Sequence, residues 1–246
     1  MARKRSEGQN RSAAVMQQRA EPDDSLDDFP TPPWATRALC RWIAQYSSRR
    51  LGSMIVREPC ANRGHMVRPL QEFFAKVYAS DVHDYGLGYP ILDYLFPIPE
   101  TPVDWTFINP PFRLGDEFIL RALDSSAEGV VVIVRTAFLE GDDRYKRLFS
   151  GPAKPSHVLQ FVERVCMLSG RLVRYGAPDP SDEKPKRKAT TATAYCALIY
   201  FKHRPPGSAS IDWIAPCRRE LEQPGDYPDD PYGLAELRRP LESFRS

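Results

Sequence analysis

Gly129-Val130-Val131-Val132-Ile133-Val134 reads as the strongest strand of the chain. An unbroken run of β-branched residues has no polar face to give to water. It therefore predicts a strand covered on both sides, as the central strands of parallel sheets are. A helix over Phe118–Leu123 precedes it, and before that Trp105-Thr106-Phe107-Ile108 is a second apolar strand. Further upstream, Met54-Ile55-Val56 and Val77-Tyr78-Ala79-Ser80 read as strands separated by a helix over 66–75. Strands alternating with helices predict an α/β, doubly wound, mostly parallel sheet. Downstream, Val158–Val162 and Ala194–Phe201 are strands with no clear helix between them, which predicts an antiparallel edge hairpin of the same sheet.

The first helix is expected from Trp34 to Tyr46, with apolar residues at 35, 38, 39, 42, 43 and 46. Trp34 and Trp42 on it read as core. Thr31 is placed as its N-cap, with the prolines at the first helical positions, where a missing N–H costs little. The Gly-, Pro- and aromatic-rich segment 84–103 reads as loop with a short helix near Ile91–Leu95. Residues 1–27 are polar and charged and read as a disordered or basic arm. A single domain is expected over 28–222, interrupted by a mobile basic excursion at 170–193. A Pro- and charge-rich tail, 223–246, either wraps the surface or is disordered.

The net charge of the 246 residues is +2, so any affinity for a polyanion must come from local patches. Met1-Ala2-Arg3-Lys4-Arg5 is basic but no apolar segment follows, so it is not read as a secretory signal, and no apolar run is long enough for a membrane-spanning helix. The five cysteines are scattered with no CxxC or Cys/His cluster, which predicts neither a disulfide framework nor a metal site and fits a reducing cytoplasm.

The strand at 105–108 runs into Asn109-Pro110-Pro111-Phe112. That sequence delivers a side-chain amide, a rigid turn and a flat ring at one point. Asn109 can accept an N–H through its side-chain oxygen. Neither proline can continue a ladder, which frees the Pro110 carbonyl for a second N–H. Phe112 can stack on the ring that carries the amine. In a chain with 24 prolines the string also arises as a plain strand-end turn, so its weight depends on what accompanies it. The segment Glu58 to Gly64 follows the first strand and precedes a helix. In open α/β sheets, ligands bind at the carboxyl ends of strands, and this strand-turn-helix makes a nucleotide-sized pocket lined by backbone N–H groups. Asp81 ends the second strand, where an acid is placed to hold ribose hydroxyls. The spacings GxGxxG and GxxxxGK[ST] are absent, which disfavours a dinucleotide or a nucleoside triphosphate.

Glu-Pro-Cys-Ala-x-x-Gly-His-Met from residue 58, Ala-Ser-Asp ending at 81, and Asp-Trp-Thr-Phe-Ile-Asn-Pro-Pro-Phe ending at 112 resemble the amino-methyltransferases of DNA. Within that family the chain is most similar to phage and prophage N6-adenine methyltransferases, over roughly residues 29–217. The resemblance implies a class I, Rossmann-like fold and S-adenosylmethionine as cofactor. By the same resemblance Glu58, Pro59, Cys60, Ala61, Asn62 and Gly64 form the cofactor loop and Asp81 binds the ribose. Thr31 and Pro32 lie in the segment that closes over the cofactor, Asn109 borders both ligands, and Asn109, Pro110, Pro111 and Phe112 form the target-amine site. The chain departs from the family at Asn62, where a second glycine is usual. If the backbone there is left-handed, Asn is the next most tolerant residue.

The implied chemistry is displacement at a methyl group by the N6 amine, with the Asn109 oxygen and the Pro110 carbonyl holding its two protons. A base within a duplex must flip out to reach such a site. DNA, duplex or single-stranded, is the expected partner, with Arg113, Lys184, Lys186, Arg187 and Lys188 as candidate contacts. For the basic residues of the excursion a solvated loop is an equal reading. Arg164 and Arg171 either face DNA or pair with acids, and His65 caps or packs the cofactor loop. Two other readings stay open: a methyltransferase acting on an RNA base or a protein glutamine, and an inactive relative that binds nucleic acid.

Overall fold

The computed structural model describes residues 27–96, 101–179, 188–204 and 207–228. Its centre is one seven-stranded sheet. The strands are β1 (Ile55–Glu58), β2 (Lys76–Ala79), β3 (Val103–Ile108), β4 (Ser126–Arg135), β5 (His157–Phe161), β6 (Tyr195–Phe201) and β7 (Ser210–Ile214). They lie in the order β2-β1-β3-β4-β6-β5-β7. β2, β1, β3 and β4 are parallel, so their carboxyl ends share one rim of the sheet. β6 is antiparallel to both β4 and β5. The doubly wound, mostly parallel sheet expected from the apolar runs is the one the chain forms.

Both faces of the sheet are covered. Val131 and Ile133 of β4 pack on one side with helices α1 (Pro33–Ala44) and α2 (Val67–Phe73). Val130, Val132 and Val134 pack on the other with α3 (Gly115–Ser125). This two-sided burial is the reason the run at 129–134 lacks alternation. Gly129 belongs to the same packing: a Cβ there would collide with the Tyr200 carbonyl and the Trp105 ring. Trp34 and Trp42 are core residues of α1.

Three local expectations are corrected. Thr31 is not the cap of α1; Pro32 is, and its carbonyl accepts the N–H of Ala35 at 3.0 Å. With Thr31 as cap, Pro33 would fall at the second helical position and offer no N–H for the hydroxyl. No helix forms at Ile91–Leu95. Asp81 pairs with that segment instead, accepting the N–H of Leu92 at 2.8 Å and donating to the Pro90 carbonyl at 3.2 Å, and residues after it close a turn on Asp93. The antiparallel pair β5 and β6 is present, but β6 is inserted between β4 and β5, and β7 extends the sheet as its outermost strand, parallel to β5.

The packed chain also continues past residue 222. Arg37 of α1 donates to Glu72, to Asp226 and to the Leu221 carbonyl, and Tyr227 is buried in the main core. The described ends of the 170–193 excursion pack as well: Leu172, Val173 and Ala189 are buried, and Arg171 pairs with Asp179 at 2.6 Å rather than facing outward alone.

Candidate active site

A cleft of about 190 Å³ opens where β1, β2 and β3 end. The loop after β1 forms its floor. Ala61 donates to the Ser80 carbonyl and Ser80 to the Glu58 carbonyl, which ties the loop to the end of β2. Asn62 has φ +48° and Gly64 φ +74°, so the chain turns through the left-handed region twice in three residues. Asn therefore stands where a left-handed backbone is required, and it tolerates that conformation through its own hydrogen bonds. Its backbone N–H donates to Asp81 at 2.9 Å, and its side-chain oxygen accepts the N–H of Arg63 at 2.7 Å.

Two carboxyl groups flank this loop in different environments. Asp81 accepts from the backbone of Asn62 and of His83, one bond on each oxygen, and each oxygen keeps a lone pair for a hydroxyl donor. Glu58 is fully buried. One of its oxygens accepts from Cys60 N–H at 3.0 Å and the other has no partner. Burial pushes the Glu58 carboxyl well above the usual range; the Cys60 bond opposes this and the nearby Asp81 adds to it. A buried polar oxygen without a partner is costly.

A short strap crosses the rim. Asp28 pairs with Arg63 at 2.9 Å and accepts from the Asn62 amide at 2.7 Å. Asp27 accepts the N–H of Phe112 at 2.8 Å, and the Phe29 carbonyl accepts from the Asn109 amide at 2.8 Å. Residues 27–29 thus bond to both the loop after β1 and the Asn-Pro-Pro-Phe turn.

A second cavity of about 170 Å³ lies on the far side of that turn, walled by Pro110, Phe112, Gly115, Arg135 and Phe138 among others. Pro111 lines both cavities. The turn is the partition between them.

The residues singled out in the sequence do not all come to one place. Thr31, Pro59, Cys60, Ala61, Asn62, Asp81 and Asn109 line the first cleft. Pro32, Glu58 and Gly64 are built into its frame without lining it; Gly64 lies against the Tyr89 hydroxyl, where a Cβ has no room. Pro110 and Phe112 face the second cavity. Arg113 and Lys188 are exposed and line neither cavity. Lys184, Lys186, Arg187 and the arm up to residue 26 lie outside the described residues. His65 is buried and lines the first cleft.

Sequence reasoning passed over the strap residues Asp27 and Asp28, the loop residues Tyr85, Leu92 and Tyr94 that also line the cleft, and Arg135. Only the aromatic content of 84–103 hinted at any of them. Among the described residues no group of three metal-ligating side chains converges, and no helix is long and apolar enough to cross a membrane.

No family model matches the chain, and no curated protein matches it. Solved structures share its fold. A Pyrococcus horikoshii protein provisionally named an RNA methyltransferase superposes with a TM-score of 0.51 at 16% identity, over 77% of this chain and 95% of that one. The type I restriction-modification system methyltransferase subunit of Streptococcus thermophilus gives 0.51 at 15% identity, over 75% of this chain. The match spans about half of that subunit, 47% of its length. At such identities the likeness is one of fold: the chain has the Rossmann-like, class I methyltransferase fold.

Proposed function

We propose that the protein is an S-adenosylmethionine-dependent methyltransferase that modifies the exocyclic N6 amine of adenine in DNA. The observation that carries this is the position of Asn109. It lies at the end of β3, lines the cleft of about 190 Å³, and begins the turn whose other residues wall the second cavity.

The first cleft suits the cofactor chemically. Asp81 has spare acceptor capacity for ribose hydroxyls. The loop residues Pro59, Cys60 and Ala61 give small, mostly apolar walls. When bound, S-adenosylmethionine supplies an electrophilic methyl group.

The remaining work falls to this chain. The N6 lone pair of adenine is delocalised into the ring and is a poor nucleophile. Asn109 Oδ1 and the Pro110 carbonyl accept its two protons, which favours pyramidal nitrogen and turns the lone pair toward the methyl. The amine proton becomes acidic as the new bond forms, so no strong base is needed beforehand. Phe112 provides the flat surface for a base that has left its stack.

The test is a labelled-methyl assay on duplex DNA, single-stranded DNA and RNA in parallel, with N6-methyladenine identified by mass spectrometry. Label in DNA adenine is the expected result. Label confined to RNA or protein would refute the DNA assignment, and absence of S-adenosylmethionine binding by calorimetry would refute the enzyme reading.

A further inference from the structure

Phe112 is the surface on which a substrate ring is expected to lie, yet its ring is already covered. The guanidinium carbon of Arg135 sits 3.5 Å from the ring centroid, a stacking distance, and 5.7 Å from the centroid of Phe29. Arg135 ends β4 and reaches Phe112 from the neighbouring strand; both line the second cavity.

Another arginine of this cavity shows what is unusual here. Arg144 lies over Phe138 at 4.0 Å, but it also donates to Asp116 at 3.1 Å and to two backbone carbonyls. Arg135 has no such anchor. Among the described residues no carboxylate pairs with it, and its Nε is buried without a hydrogen-bond partner. Among the described residues its guanidinium faces the rings of Phe112 and Phe29 and no carboxylate, and such a contact is weaker than a buried ion pair. A guanidinium is planar and stacks on aromatic faces as a base does.

We infer that Arg135 is a placeholder for the substrate ring. In the free protein its guanidinium covers Phe112, and an incoming planar group takes that face by displacing it. The inference rests on reading the Asn109 site as one for a ring-borne amine, and it adds a residue that selects what enters. Base–aromatic stacking matches or exceeds an arginine–aromatic contact, so a nucleobase wins the exchange. The amide of a glutamine side chain offers a much smaller planar face than a purine and repays less of the lost contact. Arg135 is therefore a specificity-determining residue that favours a base over a protein amide.

The probe is adenosine, which carries no phosphate, with the cofactor cleft saturated by S-adenosylhomocysteine. Arg135→Ala should bind it about threefold to tenfold more tightly than the parent, the range set by the contact removed. The gain should vanish when Arg135→Ala is added to Phe112→Leu. Arg135→Gln repeats the measurement if the alanine variant is unstable. Unchanged or weaker adenosine binding in a folded variant overturns the placeholder role. So does weaker oligonucleotide binding with unchanged adenosine binding, which marks a phosphate contact. Methylation of nucleic acid by the parent protein is scored separately: its absence refutes the function, whereas methylation with no effect of Arg135→Ala on adenosine affinity refutes the placeholder alone.

Discussion

Asn109 donates from its side-chain nitrogen to the backbone carbonyl of Phe29 at 2.8 Å. A carbonyl only accepts, so this contact fixes which end of the amide is nitrogen and leaves Oδ1 as the acceptor. One bond from the strap thus sets the polarity of the residue at the centre of the site.

Asn109→Ala should lower methyl transfer by about 10²- to 10³-fold, the usual loss when one preorganised polar contact is removed. Calorimetry should show cofactor affinity little changed. Turnover at the parent rate would take Asn109 out of the mechanism. Asn109→Asp is expected to be no better, because a carboxylate would face the Phe29 carbonyl and lose the donor.

Asn62 carries a left-handed backbone and a bond to Asp28. Both Asn62→Gly and Asn62→Ala lose the bond, but only alanine adds the left-handed penalty. The glycine variant should be the more stable of the two by about 1 kcal/mol in urea denaturation. Equal stabilities would mean that the loop relaxes to another conformation.

Burial raises the Glu58 carboxyl above its ordinary value near 4.5, so the folded chain keeps a proton that the unfolded chain releases. The sign follows from that. The Glu58 contribution to stability is complete below pH 4.5 and is lost as the pH climbs toward the folded-state value. Glu58→Gln cannot ionise. Relative to the parent it should gain stability as the pH rises above 4.5. A parent-to-variant difference that does not change with pH, measured by urea denaturation, would show that Glu58 titrates normally.

Arg37 is buried and bridges Glu72 of α2, Asp226 and the Leu221 carbonyl. Arg37→Met would leave Asp226 buried with its charge unpaired. A loss of about 3 kcal/mol is expected, at the low end for a broken buried pair because Glu72 is one-third exposed and returns to water. Asp226→Asn should cost less, since an amide still accepts one bond. A change under about 1 kcal/mol for Arg37→Met would show that the segment after residue 222 contributes little to the fold.

The parts of the molecule that could be read from sequence are those where local pattern and burial agree. The valines of β4 have no alternation because both their faces are covered, and Asn109 ends a strand because two prolines stop the ladder. β7 escaped notice because it is short, its Ile211 and Trp213 are exposed, Ser210 and Asp212 interrupt its apolar residues, and only Ile214 reaches the core. Asp27 and Asp28 look like any polar run; their partners, Phe112 and Arg63, are far along the chain. Arg135 lies over Phe112 only because β3 and β4 are neighbours in register, which no single segment encodes.

The place of β6 between β4 and β5 has a consequence for how the molecule is made. Everything that forms the cleft, from Asp27 to the end of β4, leaves the ribosome first. At that stage one side of β4, a strand of valines, has no neighbour, and β5 arrives before the strand that must separate them. Until β6 is synthesised, that open edge is a template for pairing with other chains. The half that carries the proposed chemistry therefore relies on the later half for its solubility, and a chain cut shortly after Arg135 should aggregate instead of remaining as a minimal binding unit.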